Sequence, residues 1–421
     1  MAIQRIHVEN FRSFSDIDIG LSRFNVVIGS NAAGKSNFIS LFKFLRDIAK
    51  HGIVHAVAMQ GGPEYIQNAK IGPSHDLRIR VIYLPEQKSE VSRGQVKDAP
   101  ILAIQPSLLS YEFAIRFTPG GDSFSITDDR IMIDFDVLSC KRENMDLTGA
   151  QGIVHGQVRV ASDGGIVTYQ VDLPEACPLS GDEIIPLTSR ARTLPEKTLL
   201  LETPYVFPLN YGERFFDRIA VYDIDPKHMK KGKAITGRMD LEEDAANLAP
   251  VLKKIIGNPE KKRKFSNLVR DILPFIEDFS VEKFADIPLV LMLREKYAKN
   301  HDLPASSLSD GTLTIFALIV MLYFEDNPFI IIEEPVIYIH PFLVGRIISM
   351  MQESSGSKQV MVTTHSTEVV KHASPADLLL VSRDPEGFSV VSRPADKEEV
   401  RTFLENEIGI EELFIQNLLG L

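Results

Sequence analysis

The chain has 421 residues, of which 44% are hydrophobic and 24% charged, and it carries a net charge of −11. That length exceeds one simple core and predicts two or three lobes. The acidic balance excludes a protein that coats nucleic acid with its whole surface, while leaving room for a local basic groove. Two cysteines, Cys140 and Cys177, are too few for a disulfide framework and suit a reducing, cytoplasmic setting.

Met1-Ala2-Ile3-Gln4-Arg5 does not read as a signal peptide, because polar and charged residues interrupt it at once. Residues 3–9 alternate around Ile6 and Val8, and residues 17–21 around Ile17, Ile19 and Leu21, so two strands are predicted. Between them Asn10-Phe11-Arg12-Ser13-Phe14 has the look of an exposed turn, although Phe11 and Phe14 are better assigned to the core than to an adenine cover. Phe24-Asn25-Val26-Val27-Ile28 follows as a short buried strand. Phe38, Leu41, Phe42, Leu45 and Ile48 then recur at helical spacing.

Gly61-Gly62-Pro63 breaks the next stretch. From about 77 to 172 the period becomes two. Leu77, Ile79 and Val81 alternate, as do Tyr111 to Phe117 and Ile131 to Val137. Val158 and Val160 lead through Asp163-Gly164-Gly165 to Val167, Tyr169 and Val171, a hairpin with its turn residues in place. An antiparallel β layer is expected, interrupted by a polar loop at roughly 84–100. Residues 173–210 are Pro-rich and irregular.

Ile219 to Tyr222 predicts one more strand, Leu241 to Ile256 and Lys262 to Ile276 helices, and Val281 to Phe284 and Leu289 to Leu293 strands. From 308 the chain alternates. A helix over Thr312–Tyr323, a strand over Phe329–Ile332 and a helix over Phe342–Gln352 come first. A strand over Val360–Val362, a short helix near 367–372 and a strand over Leu378–Val381 follow. Such alternation marks a parallel sheet covered by helices. The longest apolar run, Ile315 to Phe324, is about half a bilayer span and reads as a buried helix, so no membrane partner is expected.

Within this frame Gly29-Ser30-Asn31-Ala32-Ala33-Gly34-Lys35-Ser36 fits the nucleotide-binding P-loop, G-x-x-x-x-G-K-[ST], and has the strand before it and the helix after it that the motif requires. Backbone N–H groups in such a turn converge on phosphate oxygens beside a helix N-terminus. Lys35 reaches the β- and γ-phosphates and the Ser36 hydroxyl ligates Mg²⁺. With Asn37 these residues form the expected ATP cradle.

Phe329-Ile330-Ile331-Ile332-Glu333-Glu334 is a buried strand ending in two acids. Glu333 is assigned to the Mg²⁺ shell and Glu334 to the attacking water. Leu308-Ser309-Asp310-Gly311-Thr312 opens a helix, where Ser309 and free N–H groups suit phosphate oxygens, or simply a cap. Thr363-Thr364-His365-Ser366 follows another strand and offers His365 to a γ-phosphate. Two basic clusters, His228 to Lys233 and Lys261 to Lys264, read first as solvated faces and second as nucleic-acid contacts. No zinc spacing and no Gly-x-Ser-x-Gly elbow appear.

The ordered set resembles the ATP-binding-cassette-type ATPases of the SMC and RecF-like group. It consists of the P-loop, Leu308-Ser309-Asp310-Gly311, Ile332-Glu333-Glu334-Pro335, Ile339-His340-Pro341 and Thr364-His365-Ser366. More closely it is similar to the stand-alone prokaryotic ATPases of the AAA type. The opening Ile6-His7-Val8-Glu9-Asn10-Phe11-Arg12-Ser13-Phe14, the stretch Leu241 to Ala249 and the Gly-Leu-rich C-terminal end carry that likeness.

The resemblance implies an α/β P-loop NTPase with an ABC-type head: a mixed or parallel sheet flanked by helices, an antiparallel β layer and a helical lobe. The expected divisions are 1–76 (head with P-loop), 77–210 (β insertion), 211–300 (helical and strand lobe) and 301–421 (the rest of the head). It further implies a homodimer or higher oligomer in which Ser309 and Gly311 meet the γ-phosphate held by the partner's P-loop. Gln60 and Gln67 are the candidates for a site-lining glutamine.

Where the family has Glu-Asn-Gly-Leu-His-Pro, this chain has Val336-Ile337-Tyr338-Ile339-His340-Pro341, and Thr314 stands where an arginine is usual, which points to slow or partner-tuned hydrolysis. Too few residues follow His365 for the nuclease domain of related proteins, so a separate effector protein is expected. Antiviral defence or a RecF-like DNA-repair clamp are the settings implied.

Overall fold

The computed structural model describes all residues except 1, 85–88, 91–100, 122, 144–145, 186–192, 204–214, 232–239, 285–286, 299–300, 399, 401–409 and 416–421. Most of the polar loop expected at 84–100, the C-terminal Gly-Leu end and part of the 228–233 basic cluster lie outside the described residues. In chain order the strands are β1 (Ala2–Phe11), β2 (Phe14–Gly20), β3 (Phe24–Gly29), β4 (Leu77–Leu84), β5 (Ser89–Glu90) and β6 (Ile101–Phe117). Then come β7 (Phe124–Glu143), β8 (Asp146–Asp163), β9 (Ile166–Asp172), β10 (Ile219–Asp223), β11 (Ile276–Phe284) and β12 (Ile287–Glu295). The last are β13 (Asp302–Pro304), β14 (Phe329–Glu333), β15 (Gln359–Thr363), β16 (Leu378–Arg383) and β17 (Ser389–Ser392).

These elements belong to two units. The first comprises residues 1–22, 36–219 and 383–391, and the second residues 23–35, 220–382 and 392–421.

In the first unit the strand order is β17-β2-β1-β4-β6-β7-β8-β9, with β5 beside β6. Every pairing from β2 to β9 is antiparallel. The alternation read from the sequence decides which face is buried. Leu77, Ile79, Val81, Tyr111, Phe113, Ile131, Ile133, Val158 and Val160 all turn inward. Arg78, Arg80, Ser110, Glu112, Arg130 and Arg159 fall at the intervening positions, on the opposite face. The β8–β9 hairpin closes on Gly164 and Gly165, both at positive φ, as a two-residue turn between strands of matching twist requires.

The turn between β1 and β2 is less exposed than the sequence suggests. Only Arg12 and Ser13 form it, while Phe11 and Phe14 are fully buried against Phe44 and Phe38. Asn10, at φ 54°, is buried and clamps the chain. Its Nδ2 donates to the Gly72 and His75 carbonyls and its Oδ1 accepts from Asn68 N–H.

The second unit holds the sheet order β10-β14-β15-β3-β16, with β14, β15, β3 and β16 mutually parallel, and a separate antiparallel sheet β11-β12-β13. β3, β14 and β15 are buried along almost their whole length, as parallel strands covered on both faces must be. The helices are Leu248–Ile256, Pro259–Ile272, Asp310–Tyr323 and Pro341–Ser354 with shorter turns. Thr312 to Leu322 are buried without a break, which makes this helix the centre of the unit's core. Phe265, Phe279 and Phe316 meet there with ring centroids 5.2–5.5 Å apart.

Two predicted helices are corrected. The Leu241–Ile256 helix begins only at Leu248. Asn247 and Asp244 bind nearby backbone instead, Oδ1 of Asn247 accepting from Glu242 N–H and Oδ1 of Asp244 from Ala246 N–H, and such local bonds compete with helix formation. The Lys262–Ile276 helix starts earlier and stops sooner, at Pro259–Ile272. Asn258 caps Lys261 N–H, Pro259 fills the first position, and Pro274 bars continuation. The expected class is otherwise what the chain adopts: a mixed α/β protein with helix-flanked parallel strands and an antiparallel β layer.

Candidate phosphate-binding site

In the second unit, the C-terminal ends of parallel strands share one edge of the sheet, and that edge is where α/β sheets bind ligands. The register aligns Glu333 of β14 with Thr363 of β15 and Thr363 with Val27 of β3. Gly29, Glu334 and His365 therefore leave the sheet side by side. The edge is stitched together by backbone bonds: Thr364 N–H donates to the Val27 carbonyl (3.0 Å) and Glu334 N–H to the Thr363 carbonyl (3.1 Å).

The Gly29–Lys35 turn emerges from β3. A Cβ on Gly29 would collide with the Val381 carbonyl oxygen, so the close packing of β3 on β16 demands glycine there. Gly34 sits at φ 120° and Ala32 at φ 61°, while Ser30 and Asn31 face solvent and Ala33 is buried. Lys35 is buried and folds back over the turn, its Nζ donating to the carbonyls of Gly29 (2.8 Å) and Ser30 (3.1 Å). Burial lowers its pKa, and the negative charge of Glu334 acts in the opposite direction. Ser36 opens the helix Lys35–His51, its carbonyl accepting from Ser40 Oγ.

Glu334 is held in the left-handed region, at φ 44°, where a non-glycine residue is strained. Its carboxylate faces His365. The His365 N–H donates to Oε2 at 3.3 Å, and His365 Nε2 lies 3.7 Å from Oε1. Glu333 occupies the last position of β14 and is half-buried. The buried ammonium, the two carboxylates and the imidazole make a donor set suited to Mg²⁺-ATP: a cation and N–H groups for phosphate oxygens, carboxylate oxygen for a hard cation.

Ser309 and Gly311 lie at the start of the Asp310–Tyr323 helix. Ser309 Oγ accepts from Thr312 N–H at 3.2 Å and so caps it, and a Cβ on Gly311 would sit 2.5 Å from the Tyr338 carbonyl oxygen. Thr314 is buried, its Oγ1 donating to the Asp310 carbonyl, so no charge stands there. Next to it, Val336 and Ile339 are buried, but Ile337 and Phe342 are 67% and 86% exposed. The basic stretch at 228–231 is partly spoken for: Lys230 pairs with Asp310 and His228 with Asp244.

In the first unit, Asn37 Nδ2 donates to Ser13 Oγ at 2.8 Å. Gln60 Oε1 accepts from Arg12, whereas Gln67 Oε1 is buried with no hydrogen-bond partner among the described residues. Arg12 escaped the sequence reading. Its guanidinium is held by the neutral side chains of Gln60 and Asn37, and burial lowers its pKa. An arginine in a turn between two buried phenylalanines was the available signal.

Two family models match the chain. One, "AAA domain, putative AbiEii toxin, Type IV TA system", covers residues 190–371, and the other, "AAA ATPase domain", covers residues 1–135. Both describe ATPase domains of the AAA type, and the glycine turn between β3 and its helix, beside helix-flanked parallel strands, agrees with that likeness. The coarse function that follows is a nucleotide-binding ATPase.

Among solved structures, an SMC head bound to the C-winged helix domain of ScpA is similar at 16% identity and TM-score 0.49, over 93% of this chain and 97% of that one. The SMC head domain from Thermotoga maritima is similar at 13% identity and TM-score 0.41, over 93% and 99%. A Pyrococcus furiosus Smc head, bound to the C-terminal domain of ScpA, is similar at 15% identity and TM-score 0.41, over 93% and 95%. No characterised protein matches at the level of sequence. Among the described residues no helix is long and apolar enough to cross a membrane.

Proposed function

We propose that this chain binds Mg²⁺-ATP at the Gly29–Asn37 turn and hydrolyses it slowly, as a nucleotide-dependent homodimer or higher oligomer. The single observation that carries the reading is the meeting of Lys35, Glu334 and His365 at one sheet edge. The imidazole lies 3.7 Å from the carboxylate, and that carboxylate's charge acts on the buried ammonium.

In this reading Lys35 exchanges its two carbonyl partners for phosphate oxygens. Ser36 and Glu333 hold Mg²⁺, which supplies charge neutralisation on the triphosphate when bound. Glu334 Oε1 orients a water and takes its proton. His365 Nε2 donates to the γ-phosphate and keeps Glu334 in place. Ser309 and Gly311 serve the site of a second copy. Thr314, neutral and buried, removes a cation from the signature region, which supports slow turnover.

A Glu334→Gln variant should bind ATP, lose most hydrolysis and accumulate as a dimer, read by turnover and by mass with and without ATP. Turnover equal to wild type would end the proposal. A second reading is an ATP-gated scaffold that restrains a separate effector nuclease in antiviral defence. The exposed Ile337 and Phe342 favour it, since they offer an apolar contact. Affinity capture from native extract with a nuclease bound, alongside negligible turnover, separates it from the first. A cytoplasmic location and a RecF-like DNA clamp are further settings, the latter excluded by absence of DNA binding at low salt.

A further inference from the structure

The open face of the antiparallel layer in the first unit is not an ordinary solvated sheet face. It lines a half-open cavity of about 610 Å³ whose polar wall includes Arg80, Ser110, Glu112, Arg130, Arg159 and Thr168. That volume is in the range of small-molecule sites. The cross-strand register explains how the residues come together. Arg80 pairs with Glu112 and Glu112 with Arg130 in one row, and Ser110, Met132 and Arg159 follow in the next row on the same face.

The arginines of this face differ in how they are paired. Glu112 is buried and accepts from Arg78 (2.6 Å) and Arg130 (2.9 Å). Asp128 faces the same two guanidiniums at 2.8 and 3.3 Å. Burial acts to raise the Glu112 pKa, but the bonds from Arg130 and Arg78 outweigh it and hold the group ionised. Glu9 also lies 3.9 Å from Arg78, so carboxylates fully answer these two arginines. Arg159 is steadied by a neutral group instead: its Nε donates to Gln157 Oε1, and Gln157 donates on to Asp134. Arg80 feels Asp18, but Asp18 already accepts from Nε and Nη2 of Arg5.

Three guanidiniums, of Arg80, Arg130 and Arg159, and one carboxylate, of Glu112, line the cavity, and among the described residues no lysine does. Guanidinium forks, rather than ammonium points, suit a planar or tetrahedral oxyanion bound through paired N–H groups. Ser110 and Thr168 add neutral donors.

We propose that this cavity binds a phosphate group, through Arg80 and Arg159, with Arg130 held in place by Glu112. The phosphate belongs either to a small phosphorylated molecule or to the backbone of a nucleic-acid strand. The test uses the full-length Lys35→Ala protein, to suppress the P-loop, and calorimetric titration with pyrophosphate. One equivalent should bind. Arg80→Ser with Arg159→Ser should weaken it at least about tenfold, and Arg159→Lys should weaken it less, because charge survives without the fork. Arg159 is exposed, so its variants should unfold at the parental temperature, which guards against misfolding as the cause.

A short single-stranded DNA oligomer that displaces pyrophosphate identifies the strand as the source. An inert oligomer beside bound pyrophosphate identifies a small ligand. Absence of binding by both probes, or affinity unchanged in the double serine variant, overturns the proposal.

Discussion

Two acidic residues are held against their ordinary preferences, one in its backbone and one in its carboxyl group, and each makes a prediction at the scale of a single residue. Glu334 is in the left-handed region, which costs a side-chain-bearing residue about 1–2 kcal/mol. Glu334→Gly should therefore unfold at the same temperature as wild type or a few degrees higher, while losing hydrolysis. Glu334→Val, stiff at Cβ, should unfold lower. Thermal melts of both variants check the pair, and equal destabilisation would remove the strain argument.

Asp129 is the second case. It is buried, accepts from Tyr111 OH (3.1 Å) and Leu200 N–H (2.7 Å), and burial pushes its pKa up to about 7. An unfolded aspartate releases its proton at about 4, so between these values the folded chain binds more protons than the unfolded one. Stability contributed by this group therefore falls as pH rises through that window and levels off above it. Asp129→Asn keeps an acceptor for Leu200 N–H and carries no titration. Urea midpoints from pH 5 to 9 should fall less in the variant than in wild type.

At the scale of the element, Ser309 separates a cap from a phosphate contact. Its Oγ satisfies Thr312 N–H, so Ser309→Ala should cost about 1 kcal/mol of stability whatever its role in catalysis. Ser309→Asp retains the cap and places a negative charge where a γ-phosphate is proposed to sit. It should melt like wild type yet lose ATP-dependent dimerisation and turnover. Wild-type turnover in Ser309→Asp would reduce Ser309 to a cap. The Pro259–Ile272 helix teaches the same lesson from the other side. Asn258 and Pro259 set its start so firmly that the basic run Lys261 to Lys264 falls in its first turns, where cations oppose the helix dipole. Lys264 is partly compensated by lying over the rings of Tyr323 and Phe324.

At the scale of the whole molecule, nucleotide binding must appear as stability. A ligand present at a hundred times its dissociation constant adds about 2.7 kcal/mol to the folded state. Saturating Mg²⁺-ATP should therefore raise the melting temperature by several degrees in wild type and in Glu334→Gln, and raise it much less in Lys35→Ala. A shift in Lys35→Ala as large as in wild type would place nucleotide binding elsewhere.

Much of this molecule is legible before folding. Strand, glycine turn and helix around Lys35 are contiguous, so local pattern suffices to read them. Alternation over 77–172 likewise dictates which residues of β4 to β9 turn inward, because a strand has only two faces. The helix expected from Leu241 fails for an equally local but subtler reason: Asn247 and Asp244 spend their side chains on the backbone they would otherwise extend.

By itself, then, the amino-acid sequence determined the kind of protein this is and the residue types proposed to meet a triphosphate, since those depend on short-range spacing. Tertiary structure decided what spacing cannot encode. It brought Glu334 and His365 within 3.7 Å, paired Lys230 with Asp310, and gathered Arg80, Arg130 and Arg159 around a cavity. Each of these joins segments that only sheet register or packing makes neighbours, and register is fixed by burial of the whole face rather than by any one residue.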